Sequence, residues 1–339
     1  MSIAYDTQTQ LDGLLVSGGI DLSVRNAIIN YLMDDGLLMG PGSQVLVQDQ
    51  NLPPPVFPPL DPTAQVLFLN NPIDTVSTDP NLQVIVEAGD AYLTVTGSND
   101  VLVATGNGPD VVNMTGSSGD DVVNVGSGSQ IVLAGQGADS VYGGKGPDEF
   151  IGGSGDRQLQ QAGSGPATLI GGSGSLDTIV GGNGTPCDTM GSADVLYAGT
   201  GDQQWLLAGS GPETLYGGSG VNDTVTGGSG KDQIFGGSGA AQSLEGGSGS
   251  DTITAGTGGD VLRGGTGDDV FKIGLVGNDT VNGGGGHDTV DFSNHFLGGN
   301  ATVTTVDGLT QVQFANTGQA IDVSNVKTLV FSDHTVNLH

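Results

Sequence analysis

Residues 246–272 read GGSGSDTIT, AGTGGDVLR and GGTGDDVFK, three consecutive units of Gly-Gly-x-Gly-x-Asp-x-apolar-x with alanine once in first place. The unit returns as GGKGPDEFI at 143–151, GGSGKDQIF at 227–235 and GGGGHDTVD at 283–291, and decayed copies extend the array from about 105 to 291. A fixed short period marks a stacked-repeat architecture, in which each unit buries its apolar side only against its neighbours. Glycine permits positive φ and close backbone approach, which stacked turns require. Aspartate in sixth place is an ordinary turn former and also a hard oxygen ligand. Its recurrence at one spacing favours the second role.

These units resemble the nonapeptides of the repeats-in-toxin (RTX) family, over roughly 180 residues. The resemblance implies a right-handed parallel β-roll, a β-solenoid in which six residues form a turn, three form a short strand, and two units complete one turn of coil. It implies that the central strand residue points inward: Phe150, Leu169, Leu215, Ile234, Ile253, Leu262, Phe271 and Val290. It also implies calcium, several ions, clamped between neighbouring turns by glycine carbonyls and carboxylates. The metal ligands carried over are Asp110, Asp121, Asp139, Asp148, Asp232, Asp251, Asp260, Asp269 and Asp288. One buried aliphatic side chain per unit is a thin core set against the entropy of ordering glycine-rich chain, so calcium is expected to drive folding.

The array departs from this pattern in places. Ten-residue units stand at 171–180, 217–226 and 236–245, where the acid (Asp177, Asp223) and the inward residue (Ile179, Val225, Leu244) both shift by one place. The extra residue therefore lies inside the turn. Long and short units alternate with a 19-residue period, which puts nine-residue turns on one edge of the coil and longer turns on the other. Arg157 and Ala167 stand where aspartate is expected, and Gln242 stands at the shifted place. Calcium occupancy is expected to be patchy between 152 and 245 and better from 246 to 291.

Composition excludes several partners. The 339 residues include 63 glycines and 37 acidic against 7 basic side chains, a net charge of -30. That surface repels nucleic acid and anionic membranes and attracts cations. The lone Cys187 allows no internal disulfide, and no apolar run is long enough for a transmembrane helix. No HExxH is present, glycine–serine–glycine runs are repeat turns, and His287, His295, His334 and His339 show no triad pattern. No catalytic residues and no organic cofactor are expected, so the chain does not read as an enzyme.

Outside the array, residues 1–50 read as a small N-terminal region with one amphipathic helix. Its stripe is Val24, Ala27, Ile28, Tyr31 and Leu32, capped by Asp21 or Ser23 and ending near Gly36. Residues 51–104 hold a Pro-rich connector, Leu52 to Pro62, and the first strands; 105–291 hold the roll; 292–339 read as a C-terminal β cap of antiparallel strands. The expected fold class is thus all-β, a parallel β-roll with a helix-containing start and a β cap.

The stretch Val323 to Asp333 resembles the segment closing many RTX chains. It implies an uncleaved signal read by the type I secretion machinery of a Gram-negative bacterium. The first residues carry no basic-then-apolar leader pattern, in keeping with that route. The expected function is an acidic, extracellular or cell-surface calcium-binding structural protein that self-associates in calcium as a filament, matrix or surface-layer subunit. The alternatives are a calcium-dependent adhesin or binding module and, less favoured, an RTX enzyme. The apolar N-terminal segment (Leu14, Leu15, Val16, Ile28, Leu32) and the Pro-rich arm are expected to dock onto a neighbour's cap near Val303 to Phe314.

Overall fold

The computed structural model describes residues 2–5, 8–17, 20, 22–34, 45–49, 64–69, 73–78, 81–182, 193–274, 276–294 and 301–338. The chain divides into two compact units, Met1–Ala167 and Thr168–His339, and both are wound as a parallel coil.

In the first unit the chain alternates between two parallel sheets. The first sheet takes Val66–Leu69, Val84–Glu87, Leu102–Thr105, Val122–Asn124, Ser140–Tyr142 and Leu159–Gln161. The second takes Ile73–Ser77, Tyr92–Gly97, Val111–Ser117, Ile131–Leu133 and Asp148–Ile151. Successive strands stay in step: Val103 pairs with Val123, Val123 with Val141, and Val141 with Gln160.

The coil starts before the glycine-rich array, and the reason is two-sided burial. Val66–Leu69, Val84–Glu87 and Leu102–Thr105 are buried at every position. Two helices, α1 (Gln8–Ser17) and α2 (Leu22–Asp34), cover their outer face. Leu11, Leu15, Val24, Ile28 and Leu32 pack there against Val66, Phe68, Val84, Val86, Leu102 and Ala104. The alternate residues Leu67, Ile85 and Val103 are buried on the other face. Strands with apolar residues on both faces need no glycine turn ladder to hold them.

Helix α2 follows the expected stripe, but it begins at Leu22, so Ser23 lies in its first turn and does not cap it. Asp21, the helix end near Gly36, the Pro-rich connector, Cys187, His295 and His339 lie outside the described residues. Helix α1 escaped the sequence reading because its apolar face is short, Leu11, Leu14 and Leu15, and Gly13 stands within it. Arg25 ties the two helices through Asp12 at 2.9 Å. The expected N-terminal docking segment is corrected: Leu15, Ile28 and Leu32 are fully buried within their own unit, and Leu14 packs against the same core. Only Val16 of that set is exposed.

The second unit repeats the winding with shorter strands. Its first sheet runs Thr178–Val180, Trp205–Leu207, Thr224–Thr226, Ser243–Ser248, Val261–Thr266 and Thr280–Gly285. Its second sheet includes Val195–Tyr197, Thr214–Tyr216, Gln233–Phe235, Thr252–Thr254, Val270–Lys272 and Thr289–Asp291. Each strand buries its central residue, and all eight expected inward residues, together with Ile179, Val225 and Leu244, are fully buried. On the outside, strand spacing stacks Tyr197, Tyr216 and Phe235 at 4.7 and 5.0 Å between ring centroids.

The tail is only partly antiparallel. Ala301–Val306 and Leu309–Phe314 form a hairpin across Asp307-Gly308, both at positive φ as a two-residue turn requires. The next strand, Ala320–Ser324, pairs antiparallel with that hairpin but parallel with Thr280–Gly285. Thr328–Val330 likewise joins Thr289–Asp291 in parallel, and Thr335–Asn337 closes that sheet antiparallel. The expected all-antiparallel cap is therefore corrected, because Val323 and Leu329 continue the inward columns of the coil. Phe292, Phe314 and Phe331 close the core in one cluster. No helix among the described residues is long and apolar enough to cross a membrane.

Candidate metal centres on the turn edges

Turns leading from the first sheet to the second form a first edge; turns leading back form a second edge. The ten-residue turns stand on the second edge. In each, the extra residue directly precedes the sixth-place side chain and takes a left-handed conformation: Arg157, Leu176, Gln203, Asn222 and Ala241, with φ from 58° to 66°. This corrects the reading of Arg157 as a lost acid. Residues 152–161 are a ten-residue unit, Arg157 is its extra residue, and Gln158 fills the acid's place.

All nine expected ligands are buried and are held in one way. The Oδ1 of each accepts the backbone N–H of the corresponding residue one turn earlier. In the second unit, Asp232 accepts from Glu213 at 2.9 Å, Asp251 from Asp232 at 2.8 Å, Asp269 from Asp251 at 2.8 Å and Asp288 from Asp269 at 2.9 Å. These form one column on the first edge. On the second edge Asp260 accepts from Gln242 at 3.1 Å. In the first unit, Asp110 and Asp148 stand on the first edge, accepting from Ala91 at 3.0 Å and Gln130 at 3.2 Å. Asp121 and Asp139 stand on the second, accepting from Val101 at 2.9 Å and Asp121 at 3.0 Å.

The second carboxylate oxygen separates these residues. For Asp251, Asp269 and Asp288 it is buried with no partner. Glu213 and Asp232 face each other, no other group reaches the facing oxygens, and a proton held on Glu213 bridges the two. In those turns the second glycine has positive φ, at Gly228, Gly247, Gly265 and Gly284 (86° to 106°), and no N–H reaches the oxygen. By contrast, Asp139, Asp148 and Asp260 use that oxygen to accept the N–H of Gly135, Gly144 and Gly256 at 2.7, 3.1 and 3.1 Å. Those glycines lack positive φ. For Asp251, Asp269 and Asp288, positive φ at the second glycine thus accompanies a second oxygen that its own turn does not satisfy; Asp110 and Asp121 also have a buried second oxygen with no hydrogen bond, without positive φ in that place.

Burial raises these carboxyls above the usual range, Asp269 to about 6 and Asp121 to about 7. Burial, followed by the neighbouring Asp232, lifts Glu213 to about 9. A stack of buried, like-charged, unpartnered oxygens is costly unless a cation or protons compensate it. An oxygen-only, anionic and dry ligand set fits a hard divalent cation such as calcium, not a softer metal. Among the described residues no three acidic, histidine or cysteine side chains gather as a metal site. Backbone carbonyls must therefore supply much of the shell, as stacked glycine turns can.

Three further acids of the same kind stand in units that depart from the repeat pattern. Asp279 sits in GLVGNDTVN, where glycine in fourth place was the available signal, and its second oxygen is also unpartnered. Glu213 replaces aspartate in AGSGPETLY, so a search for aspartate alone passed over it. Asp194 accepts the N–H of Gly182 at 2.7 Å in a turn partly outside the described residues.

The family model for the RTX calcium-binding nonapeptide repeat, in 4 copies, matches residues 125–159, 207–242, 243–271 and 273–294. The chain carries RTX-family repeats. A search of curated proteins finds no match. RTX repeats are calcium-binding motifs, and the matched stretches contain Asp139, Asp148, Asp232, Asp251, Asp260, Asp269, Asp279 and Asp288. Asp110 and Asp121 stand before the first matched RTX stretch, on turns of the same coil.

Proposed function

We propose that this RTX protein is an extracellular structural protein, not an enzyme, whose coil completes its folding when it meets calcium outside the cell. The observation that supports this most strongly is the column Glu213, Asp232, Asp251, Asp269 and Asp288, buried carboxyls stacked turn upon turn. At submicromolar calcium such a column opposes folding. At millimolar calcium, binding to the folded state alone stabilises it by mass action. Export of an unfolded acidic chain followed by calcium-driven folding suits the type I route, with the Val323 to Asp333 segment as its signal. Of the expected ligands, Asp232, Asp251, Asp269 and Asp288 carry the sites, joined by Asp279; Asp110 and Asp121 have the same unbonded second oxygen, whereas Asp139, Asp148 and Asp260 already have both oxygens engaged by N–H groups.

Self-association follows in this reading because each bound calcium cancels about two of the charges that hold copies apart. Val306 and Leu309, paired across the tail hairpin and 63% and 49% exposed, offer an apolar contact for a second copy. Light scattering and electron microscopy of the full chain test this. Rods or sheets in millimolar calcium, absent in chelator and reduced in Val306→Asp, are expected. A monomer at high concentration in calcium overturns assembly and favours a calcium-dependent binding module.

A further inference from the structure

Four buried glutamines occupy the sixth place of their turns: Gln130 and Gln158 in the first unit, Gln204 and Gln242 in the second. Each is less than 3% exposed. Gln158 Nε2 donates to the carbonyls of Gly135 and Gly137 at 3.3 and 3.2 Å and to Asp139 Oδ2 at 3.3 Å. Gln204 Nε2 donates to Gly174 O at 3.0 Å and Asp177 Oδ2 at 3.2 Å. Gln242 Nε2 donates to Gly218 O at 3.2 Å and Asp223 Oδ2 at 3.5 Å. Gln130 Nε2 donates to Gly108 O. At three positions the amide nitrogen thus meets glycine carbonyls and the carboxylate of the preceding turn, the hard-oxygen set a cation takes.

The orientation of the amide is fixed. In the three second-edge turns Oε1 accepts an N–H from the glutamine's own turn, from Gly153 at 2.8 Å, from Gly199, and from Gly237 at 2.8 Å. A flipped amide would set its oxygen against other oxygens and its NH2 against an N–H, so the donor end must face the earlier turn. Placement along the chain agrees. On the second edge of the second unit, glutamines alternate with acids as Asp177, Gln204, Asp223, Gln242 and Asp260, so each carboxylate before a glutamine meets a neutral donor. The first-edge column has six acids in succession, from Asp194 through Glu213 to Asp288, and no amide between them.

We propose that these glutamines are built-in substitutes for calcium: the amide NH2 takes the place of the ion and locks its turn to the one before without metal. The inference rests on reading the first edge as calcium-binding. It divides the coil into glutamine-locked turns that hold in chelator and acid-stacked turns that require calcium. It also gives the alternation of Asp with Gln a purpose, because a second acid at each glutamine would create a further calcium demand.

The test is Gln242→Glu, an isosteric change that replaces the donor with a carboxylate oxygen facing Asp223, with Gln204→Glu as a second variant. In chelator at pH 8 the melting midpoint is expected to fall by about 5 °C, from lost hydrogen bonds and added repulsion. Millimolar calcium is expected to restore it, and calorimetry to count one more ion per chain than in the unaltered protein. Gln242→Ala is expected to lose stability in chelator with no rescue by calcium. The proposal is overturned if Gln242→Glu melts like the parent in chelator. It is also overturned if acid rescues the variant and calcium does not, since the space would then hold a proton but no ion. A parent protein that binds no calcium sinks the reading of the first edge instead, while the chelator comparison still judges the glutamine lock.

Discussion

The backbone N–H of Asp251 donates to Oδ1 of Asp269 at 2.8 Å, and the other oxygen of Asp269 is buried without a partner. The same bond links Asp269 to Asp288 and Asp232 to Asp251. One oxygen of each side chain fixes the distance between turns, and the other is buried with no donor supplied by the neighbouring turns. A column built this way is incomplete in water alone.

Removing one member therefore has a calcium-specific effect. Asp269→Ala is expected to lower calcium stoichiometry by one or two ions and weaken the remaining affinity, measured by calorimetry. Asp260→Ala is expected to leave the ion count unchanged while costing about 1–3 kcal/mol of stability in chelator, because both oxygens of Asp260 already accept N–H bonds. Equal loss of ions in both variants would contradict the division.

The pH dependence has opposite signs with and without metal. The folded-state carboxyls are raised, Asp269 to about 6 and Asp279 to about 7, chiefly by burial. The folded state therefore binds more protons than the unfolded one between about pH 4 and 7. In chelator, stability is expected to be greatest near pH 4 and to fall as pH rises through 6 to 7. Calcium competes with those protons, so its affinity is expected to fall as pH drops below about 7. Chemical denaturation and calcium titration at pH 5 and pH 8 check both signs.

The inward columns and both edges were legible in the sequence because one apolar residue and one turn glycine recur at fixed places. Which second-unit carboxylates are left without a hydrogen bond was not. It depends on whether Gly247 or Gly256 takes positive φ, a backbone choice that identical Gly-x-Gly letters do not encode. Gln242 read as a lost acid, yet it makes four hydrogen bonds, which only three-dimensional placement reveals. The coil before residue 105 was hidden for another reason. Its stability comes from helices α1 and α2 covering Val66, Val84 and Leu102, a contact that no short repeat announces.

Two glycines should respond in opposite directions. Gly265 has φ of 106°, and a methyl group there would run into the carbonyl of Gly247. Gly265→Ala is expected to cost more than about 2 kcal/mol, from strain and overpacking together. Gly13, inside helix α1, has open space around it, so Gly13→Ala is expected to stabilise by about 0.5–1 kcal/mol. Thermal melting in calcium measures both.

Magnesium should not replace calcium. It demands a tight octahedral shell and gives up water reluctantly, whereas stacked carbonyls and carboxylates at strand spacing suit a larger, more tolerant ion. Millimolar magnesium is expected to leave the circular dichroism of the chelated chain unchanged. A full recovery of β signal in magnesium would contradict a calcium-sized site.

The most direct measurement is amide hydrogen exchange, read segment by segment in chelator and in millimolar calcium. Residues 227–291, which hold Asp232, Asp251, Asp269 and Asp288 of the acid column, are expected to exchange quickly in chelator and to gain strong protection in calcium. Residues 84–105, sealed by apolar packing beneath the helices, are expected to change little. If 227–291 are as protected in chelator as in calcium, metal does not complete the fold and the account fails.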